Sequence, residues 1–161
     1  AWGAVYEQYF QEIDKVKGQK GVLSVEKKLF VETNNGTNRQ IRPITPEQPL
    51  RIGDKVIVRL TIRTDREMNY VFLKDLRAGC FEPADQLSGP ESRDGIWYYR
   101  SPKDVSENFF INRLPEGTFV LEYPVYVSRS GEYAGGISTI QCMYAPEFVS
   151  HTAGESLRIM P

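Results

Sequence analysis

The chain has 161 residues, enough for one domain with a short appendage, and at that size roughly two-thirds of the unfolded surface can be buried. Its 20 Lys and Arg stand against 21 Asp and Glu, and a net charge of -1 gives no electrostatic reason to expect a nucleic acid or an anionic membrane as partner. Two cysteines and one histidine cannot build a structural zinc site, no apolar run approaches the ~20 residues of a membrane span, and nothing implies a cofactor.

The chain opens Ala1-Trp2-Gly3 with no Met and no signal peptide, which reads as a domain cut from a longer secreted protein. Trp2, Val5, Tyr6, Tyr9, Phe10 and Ile13 follow the i, i+3, i+4, i+7 spacing of an amphipathic helix. Residues 1–20 are therefore expected to be an N-terminal extension, either the helical tail of a preceding domain or a flexible arm. The period then changes to two, and residues 21–161 are expected to form one β-sandwich domain.

Leu23, Val25, Lys27, Leu29 and Val31 alternate with Ser24, Glu26, Lys28 and Phe30 in an imperfect strand. Asn34-Asn35-Gly36-Thr37 is predicted as a turn. Three prolines between Ile41 and Leu50 predict an extended connector, suited within a sheet only to its edge. Arg51-Ile52-Gly53-Asp54 turns into the cleanest strand, with Val56, Val58, Leu60 and Ile62 on one face and Lys55, Ile57, Arg59, Thr61 and Arg63 on the other. Further strands are predicted at Asn69–Leu76, Ile96–Arg100, Asn108–Asn112, Phe119–Val127, Gly136–Met143 and Glu155–Met160, with Ala84–Gly95 a loop and Ser130-Gly131 a hairpin-type turn. Pro124, inside one of these runs, asks for an edge or a bulge. Short strands spaced by turns, with no helical period between them, predict an all-β, antiparallel β-sandwich of the macroglobulin or immunoglobulin-like kind.

The residue types that could carry chemistry do not assemble into a catalytic pattern. His151 has Ser150 beside it, but neighbours on a strand point to opposite faces, and there is no nucleophile-elbow motif. Asp75, Glu82 and Asp85 fit no calcium loop and read as solvated loop charges. Lys55, Arg59, Arg63 and Arg66 are offset by Asp54, Asp65 and Glu67 and read as a solvated face. Trp97 and Tyr99 would share one face and Tyr98 the other, so half of that aromatic run is expected in the core and the rest could stack a sugar. Asn35-Gly36-Thr37 matches a glycosylation tripeptide and is read as a turn. The chain is read as a non-enzyme. Cys80 and Cys142 leave two states open, one disulfide or two buried thiols.

Four stretches taken together carry a resemblance. They are Gly53-Asp54-Lys55-Val56 and its strand; Tyr70-Val71-Phe72-Leu73-Lys74-Asp75 running into Ala78-Gly79-Cys80-Phe81-Glu82-Pro83; Tyr99-Arg100-Ser101 with Phe109-Phe110-Ile111 and Leu114-Pro115-Glu116-Gly117-Thr118; and Ile140-Gln141-Cys142-Met143-Tyr144-Ala145-Pro146-Glu147-Phe148. Together they resemble the C-terminal macroglobulin-like domain of bacterial alpha-2-macroglobulin-type proteins, across residues 20 to 160. The resemblance implies a non-catalytic sandwich within a large periplasmic or envelope-associated protease trap. Such a domain packs on a helical thioester-type domain of the same chain and shields its reactive site through a Met-Tyr loop, so proteases are indirect partners. Carried over, Met143 and Tyr144 make the shielding contact, while Gln141, Ala145, Pro146 and Glu147 shape the loop. A stand-alone secreted module, binding carbohydrate or acting as an adhesin, is the alternative.

Overall fold

The period-two patterns become the two layers of a β-sandwich in the computed structural model, which describes residues 22–35, 38–44, 49–84, 89–93, 96–103, 105–154 and 156–161. The helical pattern at residues 2–13 and the turn at Gly36-Thr37 lie outside the described residues. Fourteen strands follow in chain order: β1 Leu23–Asn35, β2 Asn38–Pro43, β3 Leu50–Arg51, β4 Lys55–Thr64, β5 Met68–Leu76, β6 Phe81–Pro83, β7 Gly89–Arg93, β8 Ile96–Pro102, β9 Ser106–Leu114, β10 Gly117–Val127, β11 Gly131–Ala134, β12 Ser138–Cys142, β13 Ala145–His151 and β14 Ser156–Met160. One layer is a five-stranded sheet, ordered β2-β1-β4-β10-β6. The other has six strands, ordered β13-β12-β5-β9-β8-β7, and a small third sheet, β11-β14-β3, lies apart from both in pairing. Every described strand pair is antiparallel except the two-residue pairing of β14 with β3.

The alternation in β4 sets the first layer. Val56, Val58, Leu60 and Ile62 are buried, and they sit beside Leu29, Val25, Leu121, Tyr123 and Val125 of the flanking strands. Each fully buried Val, Leu or Ile contributes about 1.5–3 kcal/mol. The turn before β4 forms as the sequence predicts: Gly53 takes φ +94°, and Asp54 Oδ2 accepts the Arg51 N–H at 2.9 Å. Pro124 lies on β10 opposite Ile57, just beyond the point where β6 joins its outer side. Its carbonyl accepts the Ala84 N–H on that outer side, so the missing proline N–H interrupts no ladder.

Several expectations are corrected. The connector after Ile41 begins as part of β2, an edge strand on β1. Gly89–Arg93, expected in a loop, pairs with β8. Ser130-Gly131 is no hairpin turn, because β11 leaves β10 to pair with β14. Asp75 is no loop charge either: it is fully buried on β5, while Glu82 is exposed on β6 and Asp85 lies outside the described residues.

Asp75 is buried because its partners are buried with it. Lys27, the one charged member of the inward stripe of β1, donates from Nζ to Asp75 Oδ1 at 2.7 Å. Ser138 Oγ donates to the same oxygen at 2.7 Å, and the Tyr123 hydroxyl donates to Oδ2. Opposite Asp75 on β9, the fully buried Glu107 accepts from Arg77 Nη1 at 3.2 Å and Arg100 Nε at 2.9 Å. Burial pushes the Glu107 carboxyl above its usual range, with Arg100 and Arg77 pulling the other way. Burial, then the Asp75 charge, raises the Tyr123 hydroxyl well above its ordinary value. This polar seam ties β1 and β10 of one sheet to β5 and β12 of the other, and removing one member of such a pair costs about 3–5 kcal/mol.

Candidate interdomain surface

The strands of the six-stranded sheet expose every second residue, and the register decides which of these meet. Tyr99 of β8 lies opposite Phe110 of β9, Phe110 opposite Phe72 of β5, Phe72 opposite Gln141 of β12, and Gln141 opposite Val149 of β13. The Phe72 and Phe110 rings stack with centroids 4.8 Å apart. Two residues further towards one end of the sandwich stand Trp97 and Tyr70, and beyond Cys142 comes Met143. Trp97 is 71% exposed, Tyr144 77% and Met143 53%, and Tyr70, Tyr99 and Phe110 are each about half exposed. Tyr98, on the other face of β8, is buried against Phe109, as the alternation predicts. Exposed apolar patches are a common feature of contact surfaces in general, and Trp, Tyr and Met are enriched in the buried centres of such contacts.

Met143 and Tyr144 form the turn between β12 and β13, closed by the pairing of Cys142 with Ala145. The ladder then breaks, because the next pair is Gln141 with Val149, so Pro146, Glu147 and Phe148 bulge from the edge. Ala145, Pro146 and Glu147 thus belong to an edge strand with a broken register, where the missing N–H of Pro146 is tolerated. The Arg66 guanidinium lies 5.2 Å from the Phe148 ring and braces this bulge from the turn before β5. Beneath the Met143-Tyr144 turn, the Tyr70 carbonyl accepts the Met143 N–H at 2.8 Å, and the Tyr70 ring meets the Tyr144 ring edge-on at 4.8 Å. The Cys142 Sγ–H donates to the Asn69 carbonyl at 3.5 Å.

Gln141, Met143, Tyr144, Ala145, Pro146 and Glu147 are therefore gathered at one corner of the exposed aromatic face. Sequence reasoning missed that Tyr70, Phe72 and Phe110 join them. Their alternation with Val71, Leu73, Phe109 and Ile111 was a visible signal, but only the cross-strand register shows that they form one surface.

Cys80 and Cys142 are both buried free thiols in this structure, and only Cys142 lies beside the turn. Cys142 pairs with Val71, whereas Cys80 follows the far end of β5. Val71 to Leu76 alone spans about 16 Å of strand, beyond the reach of a disulfide. Burial pushes the Cys80 thiol up to about 11. His151 on β13 has its Nδ1 3.0 Å from Thr139 Oγ1, opposite it in register, and Ser150 faces the other way, opposite the buried Ile140. Burial lowers the His151 imidazole below its ordinary value. The basic residues of β4 are ion-paired across strands, Arg59 with Glu122 at 2.6 Å, Lys55 with Glu32 at 3.3 Å and Arg63 with Glu26 at 3.0 Å.

Known proteins share this fold. The fold is similar to Salmonella alpha-2-macroglobulin reacted with methylamine, with a TM-score of 0.67 and 21% identity over 88% of this chain and 9% of that one. It is also similar to native Escherichia coli alpha-2-macroglobulin spanning domain MG7 to the C-terminus, with a TM-score of 0.66 and 17% identity over 88% of this chain and 24% of that one. A stretch of 109 residues is 28% identical to circularly permutated Ras protein 2 of Dictyostelium discoideum, covering 68% of this chain and 3% of that protein. The chain thus spans a small part of each relative. The family description "Bacterial Alpha-2-macroglobulin MG10 domain" matches residues 23–147, and the chain belongs to that family.

Proposed function

We propose that this domain is a non-catalytic interdomain element of a bacterial protease trap, and that it packs on a helical thioester-type domain of the same parent chain through the Met143-Tyr144 turn. The observation that carries this reading is the position of that turn, which stands exposed at the corner of an exposed aromatic face and is closed by the pairing of Cys142 with Ala145. A thioester has to be kept from water, and an aromatic ring beside a deformable Met makes an apolar cover. Tyr144 supplies rigid area, Met143 fits itself to the neighbour, and the bulged Pro146-Glu147 segment fixes the direction in which the hairpin returns. By its family, the parent acts in the periplasm or cell envelope, where proteases are its indirect partners.

The test is affinity for the separately produced helical domain encoded in the same reading frame. Tyr144→Ala combined with Met143→Ala should weaken binding at least tenfold with the fold intact. Unchanged affinity, or a reading frame without a helical domain, contradicts the proposal. The exposed Trp97 and Tyr99 favour one other reading, a sugar-stacking platform. It predicts glycan binding that is lost in Trp97→Ala and indifferent to Tyr144.

A further inference from the structure

Among the described residues, Tyr70 is the one non-glycine with a positive φ, at +58°. A left-handed backbone at a bulky side chain is an outlier that Gly, Asn or Asp would adopt with less strain, and such strain persists only where the surroundings impose it. The surroundings here are specific. Tyr70 lies in β5 between two ordinary ladder positions, Asn69 opposite Arg113 and Val71 opposite Ile111. Its carbonyl holds the Met143 N–H and its ring lies edge-on against Tyr144. The residue before it, Asn69, accepts the Cys142 thiol, so two successive carbonyls of β5 hold the end of β12 and the turn that follows. About half of the Tyr70 side chain remains in water, so burial of its own ring does not account for a tyrosine at this position.

We infer that Tyr70 is a positioning residue for the Met143-Tyr144 turn: its strained backbone aims its ring and carbonyl at the turn and holds Tyr144 in one orientation before any partner arrives. The inference deepens the proposed function and rests on it for the partner, but the ordering of the turn belongs to this chain alone. Pre-ordering matters because a contact residue already fixed in its bound orientation loses less freedom on binding.

The experiment is amide hydrogen exchange by NMR on the 161-residue chain and on Tyr70→Phe, Tyr70→Asn and Tyr70→Gly. Asn and Gly accept the left-handed backbone but carry no ring. They should leave the thermal midpoint unchanged or raised, while exchange at Met143 and Tyr144 quickens about 2- to 10-fold, the range that a ring–ring contact carries. Tyr70→Phe keeps the ring and should exchange as the native chain does. Unchanged exchange at Met143 and Tyr144 in both the Asn and Gly variants overturns the inference. So does exchange that quickens equally throughout the sandwich with a falling midpoint, which would make Tyr70 an ordinary fold residue. These outcomes require no partner and are therefore distinct from failure of the helical-domain binding test.

Discussion

The two outer faces of the sandwich are built from the same alternation and end in opposite chemistry. On the five-stranded sheet, the outward residues of β1, β4 and β10 include three charge pairs matched across strands, Lys55 with Glu32, Arg63 with Glu26 and Arg59 with Glu122, and Arg59 also lies 4.5 Å from the centre of the Phe30 ring. On the six-stranded sheet, the outward residues of β8, β9 and β5 include Trp97, Tyr99, Phe110, Phe72 and Tyr70, leading to Met143 and Tyr144, with Asn112 and Lys74 among them. On the first face these charges answer one another and Arg59 lies over the Phe30 ring, while Tyr126 stands exposed. The second leaves a broad apolar surface to water, which is unfavourable for an isolated domain and useful for one that packs on a neighbour. Alternation alone says which residues face outward; the kind of residue sets the chemistry that each face presents.

The comparison can be broken at several depths. Both faces depend on the buried seam, so Glu107→Ala should cost about 3–5 kcal/mol by leaving Arg77 and Arg100 without their carboxylate, seen as a lower denaturation midpoint. A loss below ~1 kcal/mol would mean that the seam does not hold the layers together. Next comes the aromatic face. Trp97→Ser with Phe110→Ser should cost about 2 kcal/mol of partner binding, roughly 30-fold in affinity, while stability changes by no more than ~1 kcal/mol. On the charged face the pattern should reverse: Arg59→Ala should remove between 0 and about 1 kcal/mol of stability, with partner affinity unchanged. The smallest effect is expected at His151. Its imidazole is held below its ordinary value by burial, so the unfolded chain binds the proton more readily than the folded one. Stability should therefore fall as pH drops below about 6.5, the unfolded value. His151→Gln should flatten that part of the curve, and an unchanged slope would place the titration elsewhere.

Much of the sandwich was legible because a half-buried strand must alternate. β4, β5 and β10 were readable from Val56 to Ile62, Asn69 to Leu76 and Phe119 to Val127, and the split of Trp97 and Tyr99 from Tyr98 followed from the same rule. What stayed hidden depends on residues distant in sequence. Lys27 broke an apolar stripe and Asp75 looked like a surface charge, because neither shows in sequence that it meets the other across 48 positions and two sheets. β13 was not among the predicted strands, because Pro146 and the broken register erase its alternation. The Met143-Tyr144 corner was found through resemblance, while its support by Tyr70 needed the backbone conformation, which composition does not encode.

Hydroxyl-radical footprinting of this chain, with and without the proposed helical partner domain, reads side chains on both faces in one experiment. If the aromatic face is the contact, Met143, Tyr144 and the adjoining aromatic residues lose labelling when the helical domain is present, while Phe30 and Tyr126 on the charged face keep theirs. Protection of Phe30 and Tyr126 with Met143 and Tyr144 still fully labelled would contradict it.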